Sequence, residues 1–127
     1  MSALHADLTA TRWQSLSLVE QLANVGSEVE RAIKWSGQGR ADFSLNAVYR
    51  GLELLEFTIA DPRHRQRLRE LTRLREALLD YFLGPNEFGS SDSAWRRYFT
   101  AFDTAAAPER HQARTGGALR TQPSGRA

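Results

Sequence analysis

Apolar residues recur at every third or fourth position in four stretches of the chain, which is the spacing of one face of an α-helix. The first helix is predicted over residues 13–36, and the third is predicted to begin at Asp61 and Pro62 and to end before Gly84. The apolar positions of the four helices, in chain order, are Leu18, Leu22, Val25, Val29 and Ile33; Leu45, Val48, Leu52, Leu55 and Ile59; Leu68, Leu71, Leu74, Leu78 and Phe82; and Trp95, Phe99 and Phe102. No stretch alternates between apolar and polar residues for long enough to predict a strand.

The connections between the predicted helices are short, as in "SGQGR" and "GPNEFGSS", and short connections favour antiparallel neighbours. A chain of 127 residues is long enough to bury one core and too short for two. The predicted fold class is therefore all-α, an up-down antiparallel four-helix bundle that spans residues 13–107. Residues 1–12 are predicted to be frayed or to form a short extra turn.

The segment 108–127, "PERHQARTGGALRTQPSGRA", differs in composition from the rest of the chain. It holds four Arg and one Glu, a balance of +3, whereas the whole chain carries +2. Because it offers almost nothing to bury, it is predicted to be a disordered basic tail.

Several classes of protein are disfavoured by what the sequence lacks. The chain has no Cys, which excludes disulfides and thiolate metal sites and agrees with a reducing compartment. Its N-terminus has no secretory leader, and no apolar run is long enough to cross a membrane. His5, His64 and His111 are far apart and form no metal-binding pattern. A cytoplasmic protein with no membrane partner, metal, cofactor or assigned catalytic residue is therefore expected.

The polar sides of the first two predicted helices each carry an aromatic residue. In the first helix these positions are Asn24, Glu28, Arg31 and Trp35, and in the second they are Asn46, Arg50, Glu53 and Phe57. Aromatic residues among charges suggest surfaces covered by helix four or by another subunit. The alternative, singly exposed aromatic residues, is common on protein surfaces.

Arg75 falls inside the apolar stripe of the third helix, where a charge must pair or extend towards solvent. Its expected partners are Glu28, Glu53 or Asp80. Structural pairing is the favoured interpretation over a catalytic role. The candidate binding face predicted from the sequence comprises Asn24, Glu28, Arg31, Trp35, Arg50, Glu53 and Arg75.

Between residues 63 and 75 there are six Arg and one His but only one Glu. This excess of positive charge would favour binding to a phosphate backbone. The candidate nucleic-acid contacts are Arg63, Arg65, Arg69 and Arg73. These four are expected to fan around the helix, and no aromatic residue between them provides a stacking platform. A solvated helix start is the competing interpretation.

The stretches "ANVGSEVERAIKW", "GLELLEFTIADP" and "LREALLDYFLGPNEFGSS" resemble a widespread family of small uncharacterised prokaryotic helical proteins. The likeness spans residues 13–102 and implies that these segments form one standalone helical unit. In size and helical layout the chain is also similar to HEPN-type bundles and to the basic, oligomeric four-helix-bundle accessory proteins of retroelements. HEPN-type RNases carry Arg, four to six residues and then His, and none of His5, His64 and His111 has an Arg at that distance.

The sequence favours a non-enzymatic helical-bundle accessory or interaction protein that self-associates through the faces bearing Trp35 and Phe57. The alternative is a protein that binds RNA or a phosphate ligand, including an RNA-processing enzyme of toxin-antitoxin type. In that alternative Arg50 and Arg75 would hold the anion, and Glu28 or Glu53 would act as acid or base. The second interpretation requires these four side chains to meet in one pocket, and the first does not.

Overall fold

The backbone is all helical in the part of the chain that the computed structural model describes, residues 10–114, with side chains over 11–107. The α-helices are α1 (Ala10–Gln14), α2 (Leu18–Gly37), α3 (Ala41–Ile59), α4 (Leu68–Leu83) and α5 (Asp92–Arg114), and a 3₁₀ helix (Pro62–Arg67) precedes α4. No strand occurs between residues 10 and 114. The predicted all-α class is confirmed.

The first predicted helix is two helices, because the chain breaks between α1 and α2. Ser17 caps α2: its Oγ accepts a hydrogen bond from the Glu20 amide at 3.1 Å, and the Glu20 carboxylate accepts from the Ser17 amide at 3.2 Å. This reciprocal pair is a capping box, whose Ser-x-x-Glu pattern is visible in the sequence. The break turns α1 inward, so that Trp13 is buried.

The start of the third predicted helix is capped by Asp61 as expected, since its carboxylate accepts a hydrogen bond from the Arg63 amide at 3.0 Å. The first turns are nevertheless 3₁₀, and His64 has non-helical dihedral angles of −105° and 22°. Regular α-helix begins at Leu68. The sequence pattern therefore located the helix but not the kink within it.

Two predicted core positions are on the surface: Leu45 is 38% exposed and Leu68 is 41% exposed. At 100° per residue, each lies roughly 90–110° from the middle of its helix's buried side. An apolar residue at that angle widens a sequence stripe without reaching the core. The other predicted core positions are buried or pack against the core.

Helix α2 occupies a central place because it packs against α3 on one side and α5 on the other, while α3 also packs against α4. Both close approaches depend on glycine. A Cβ at Gly26 would lie 2.7 Å from the Phe99 Cβ, and a Cβ at Gly51 would lie 3.3 Å from the Glu28 Cβ. These positions let the helix axes approach more closely than larger residues would allow.

The aromatic stripe of α5 packs inward as predicted. Trp95 and Phe99 are buried with ring centroids 5.9 Å apart, and Phe102 is half-buried. The helical backbone continues to Arg114, seven residues beyond the predicted end of the bundle at residue 107. The remainder of the predicted tail, 115–127, and residues 1–9 of the predicted frayed segment lie outside the described residues.

Between residues 10 and 114, none of the helices combines the length and the apolar content that crossing a bilayer requires.

Candidate functional site

The polar faces of α2 and α3 adjoin where Arg50 contacts Glu28 and where the ring of Phe43 contacts that of Trp35. We call the two faces together the α2–α3 polar surface, and it comprises Asn24, Glu28, Arg31 and Trp35 of α2 with Phe43, Asn46, Arg50, Glu53 and Phe57 of α3. Helix α5 packs on another side of α2, through Gly26 and the ion pair of Arg96 with Glu30 at 2.9 Å. Since Gly26 is about 160° from Glu28 around α2, the expectation that helix four covers this surface is wrong. Cover by another subunit stays a prediction.

Glu28 is the centre of the α2–α3 polar surface and is only 8% exposed. Its Oε1 accepts a hydrogen bond from the Nε of Arg50 at 3.2 Å, and its Oε2 lies 3.0 Å from an Nη of Arg31. The structure thus brings three of the predicted residues into one ion-pair cluster. Each carboxylate oxygen already faces a guanidinium, so Glu28 is not available as a free general base.

An aromatic group lies at one end of this surface. The rings of Trp35 and Phe43 meet edge to face with centroids 4.9 Å apart, and the guanidinium of Arg40 lies 3.9 Å from the centre of the Phe43 ring. Trp35 is half-buried and Phe43 is 37% exposed. Stacking of this kind orders the side chains around the α2–α3 turn.

The remaining predicted residues of the surface have local roles. Asn24 is exposed, and its Nδ2 donates to the carbonyl of Glu20 at 2.9 Å. Glu53 is half-buried and already engaged within the chain. Phe57 is half-buried and packs against the core, so its ring belongs partly to the interior.

Arg75 lies outside this surface, and its predicted partners are wrong. Its Nη2 and Nε lie 3.0 Å and 3.2 Å from one carboxylate oxygen of Glu56, which joins α4 to α3. Glu56 is about 120° from Arg50 around α3. The four side chains proposed for an acid-base site, Glu28, Arg50, Glu53 and Arg75, therefore do not form one cluster.

Asp80, another expected partner of Arg75, instead organises the loop that follows α4. Its carboxylate accepts hydrogen bonds from the amides of Glu87 at 2.8 Å and Phe88 at 3.0 Å. Asn86 adopts a left-handed backbone with φ of 58° and exchanges hydrogen bonds with Ser90. Because an internal carboxylate takes these two amides, they are not free for a phosphate.

The basic stretch divides into paired and unpaired arginines. Arg63 binds Asp61 and also donates to the carbonyl of Leu16 at 2.7 Å. Arg65, Arg69 and Arg73 are exposed and make no ion pair or side-chain hydrogen bond within the described residues. We call these three the arginine ridge. Positions 69 and 73 are one helical turn apart, so Arg69 and Arg73 share one side of α4, whereas Arg65 precedes α4 in the 3₁₀ helix.

A buried polar cluster that the sequence analysis missed joins the α1–α2 junction to the end of α3. Gln21 donates from Nε2 to the carbonyl of Trp13 at 2.9 Å and to Oδ2 of Asp61 at 3.2 Å, and its Oε1 lies 3.0 Å from Nε2 of His64. Thr58 accepts from the indole of Trp13 at 2.9 Å. Gln21 and Thr58 have no exposed surface, and Asp61 has 2%.

The electrostatics of this cluster follow from its hydrogen bonds. The guanidinium of Arg63, bonded to the Asp61 carboxylate, holds the pKa of that carboxyl well below its usual range. The same bond raises the pKa of Arg63. Burial lowers the pKa of His64, and the Asp61 carboxylate, whose Oδ2 lies 3.3 Å from Nε2 of the ring, opposes this shift. Because Oε1 of Gln21 can only accept, the contact is a hydrogen bond donated by Nε2 of His64. Because the cluster is almost completely buried, a substrate has no access to it. Its role is structural, since it holds the α1–α2 junction against the end of α3.

A largely apolar groove of about 360 Å³ runs between α4 and the start of α5. Its lining residues are Glu70, Arg73, Leu74, Ala77, Ser90, Ala94, Trp95 and Tyr98. Tyr98 is half-buried, and this burial raises the pKa of its phenol. The Nε1 of Trp95 is buried with no hydrogen-bond partner among the described residues. This groove was not predicted, because its two walls come from helices that are distant in the sequence.

Among the residues that the structure describes, no group of three or more His, Asp or Glu side chains is placed to hold a metal ion. No protein-family model, no curated protein and no solved structure matches the chain.

Proposed function

We propose that the protein is a non-enzymatic helical-bundle interaction protein that self-associates through the α2–α3 polar surface. The observation that carries the proposal is the partial exposure of Trp35, Phe43 and Phe57 around the Glu28 carboxylate, both of whose oxygens are paired with arginines. Aromatic residues and Arg are enriched in protein interfaces. Charges that are paired before association are less costly to cover than isolated ones.

A second copy of the chain suits this surface because aromatic residues lie at both of its ends. Phe43 and Phe57 are 14 residues apart in one helix, or about 21 Å. A two-fold axis through the Glu28 cluster would place the Trp35 end of one copy over the Phe57 end of the other. Such a surface is complementary to itself, as an isologous dimer requires.

We also propose that the four long helices form an up-down antiparallel bundle. A groove lined by Ser36 near the end of α2, Leu45 near the start of α3, Phe82 near the end of α4 and Asp92 at the start of α5 supports this arrangement. Helices that alternate in direction bring these ends together. The bundle would leave the outer surface of α2 and α3 open to a partner.

The proposed compartment is the cytoplasm. The sequence contains no Cys, and cytosolic proteins need no disulfides because their compartment is reducing. The fold would then rest on its helical core alone.

Sedimentation velocity between 1 and 100 µM tests the proposed self-association. The wild-type protein should sediment as a dimer in the upper part of this range, and Trp35→Ala should weaken the dimer by tenfold or more, since buried aromatic residues dominate interface energetics. The matched control is Phe88→Ala, which removes a 60% exposed ring from a loop outside the surface. It should leave the dimer unchanged.

A wild-type protein that is strictly monomeric at 100 µM would refute the proposal. So would equal weakening by Phe88→Ala and Trp35→Ala. Circular dichroism of both variants should show unchanged helix content, so that a loss of mass reports the interface and not the fold.

A further inference from the structure

The arginine ridge and the α4–α5 groove adjoin each other at Arg73. Arg73 is a member of the ridge and also lines the groove. The neighbouring basic residues are neutralised internally, with Arg67 paired to Glu70 at 2.9 Å and Arg75 paired to Glu56 at 3.0 Å. The uncompensated positive charge of Arg73 therefore lies at the rim of an apolar groove, with Arg69 one helical turn before it on α4.

The groove supplies the aromatic residue that the basic stretch itself lacks. Tyr98 comes from α5, and its half-buried ring lines the groove opposite α4. Proteins that bind single-stranded nucleic acid combine a row of cations for the phosphates with aromatic rings on which bases stack. A duplex keeps its bases stacked inside and could not insert one into such a groove.

We propose that single-stranded nucleic acid binds here, with its phosphates on Arg65, Arg69 and Arg73 and one base in the groove against Tyr98. The arginines are spaced four residues apart, so that Arg69 and Arg73 are about 6 Å apart along α4. This function is independent of self-association, because none of these residues belongs to the α2–α3 polar surface. An apolar anion without a sugar-phosphate chain would use only Arg73 and leave two ridge arginines unexplained.

The test measures binding by fluorescence anisotropy with labelled decauridylate and decathymidylate, which separate RNA from DNA as the ligand. Either should bind more tightly than a ten-base-pair RNA duplex or linear polyphosphate of matched charge. Because single strands give a slope of about −0.7 per phosphate contact, three contacts predict that the logarithm of the association constant falls with the logarithm of salt at a slope of about −2.

Replacing the three ridge arginines together by Gln should weaken binding about tenfold or more at 100 mM salt and flatten the slope. Gln is nearly as good a helix former as Arg, so the helix content should be retained. The matched control is Arg97→Gln, which removes an exposed arginine of α5 that has no ion pair within the described residues and does not line the groove. It should lower affinity by less than twofold.

Two groove variants test the role of the base. Tyr98→Leu should weaken binding about fivefold or more without changing the salt slope, because it removes stacking and leaves the cations. Ala94→Leu should do the same by filling the groove, which removes no existing contact and guards against a folding defect in Tyr98→Leu.

Polyphosphate binding as tight as that of decauridylate, with neither groove variant having an effect, would overturn the proposal and leave a plain polyanion patch. Preference for the duplex, an effect of Arg97→Gln equal to that of the ridge variant, or no binding at 100 µM protein would overturn it as well.

Discussion

Replacing Asp61 by Asn should lower the free energy of unfolding by about 2–3 kcal/mol, although the two side chains have the same shape. The Asp61 carboxylate is 2% exposed and accepts hydrogen bonds from Arg63 and from Gln21. Asn is as good a helix cap as Asp. The expected loss therefore comes from the buried cluster and not from capping.

Three terms make up this magnitude. The ion pair with Arg63 is worth at most about 1 kcal/mol, because the Arg63 side chain is 47% exposed and regains water. The hydrogen bond from Gln21 adds about 1 kcal/mol. The amide group of Asn would also place a donor where only donors approach, which costs about a further 1 kcal/mol.

Urea unfolding followed by circular dichroism at pH 7 measures the change, and the Arg63→Gln single and double variants complete a cycle. The coupling between Asp61 and Arg63 should be about 1 kcal/mol. If Asp61→Asn lowered the free energy of unfolding by less than about 0.5 kcal/mol with an unchanged m-value, the structural role of the buried cluster would be refuted.

Acid titration provides a second check on the same residue. The folded-state pKa of Asp61 is depressed, so its stabilisation is complete above the unfolded-state pKa of about 3.9 and is lost as the pH falls below it. Asn does not titrate. The difference in stability between the wild-type protein and Asp61→Asn should therefore narrow by about 1 kcal/mol between pH 5 and pH 3.

The remaining predictions are also measured by urea unfolding. Because burial depresses the pKa of His64, the wild-type protein should lose stability as the pH falls from 7.5 to 5.5. His64→Gln should reduce that loss by up to about 1.4 kcal/mol. If the wild-type protein and His64→Gln had the same pH dependence, the buried neutral ring would be contradicted. Trp13→Phe should lower the free energy of unfolding by about 1 kcal/mol more than Trp95→Phe, since the indole N–H of Trp13 donates to Thr58 whereas that of Trp95 has no partner within residues 11–107, and equal losses would argue against this difference. Gly26→Ala should destabilise by about 1–3 kcal/mol through overpacking, whereas Gly37→Ala, with nothing within 4 Å, should be neutral or slightly stabilising; similar effects at both would show that α2 and α5 are not in close contact.

The helical period predicted most of the core because burial of one helix side is a local property of the sequence. Leu71, Leu74 and Leu78 are buried as the pattern indicates. The same reasoning failed at Leu45 and Leu68, where an apolar residue at the edge of the stripe is compatible with either side. Burial there depends on which neighbouring helix is present, and that is decided by the fold.

Charge partners were less predictable than helices, because an ion pair between helices depends on their rotation and offset. Arg75 was expected to meet Glu28, Glu53 or Asp80 and instead contacts Glu56. Pairing of Asp61 with Arg63 is local, and an Asp cap followed two residues later by Arg could have suggested it. The burial of Gln21 and His64 around that pair carried no local signal.

The close contact between α2 and α5 has a consequence for the protein while it is being synthesised. Helices α2 and α3 can pair once residue 59 is available, whereas Phe99, which fills the space beside Gly26, is added 73 residues after that glycine. At 5–20 residues per second, this interval is roughly 4–15 s. Until Phe99 is added, the α5-facing side of α2, with Ala23 and Ile33, has no α5 to pack against, which makes this helix an expected point of contact with a chaperone.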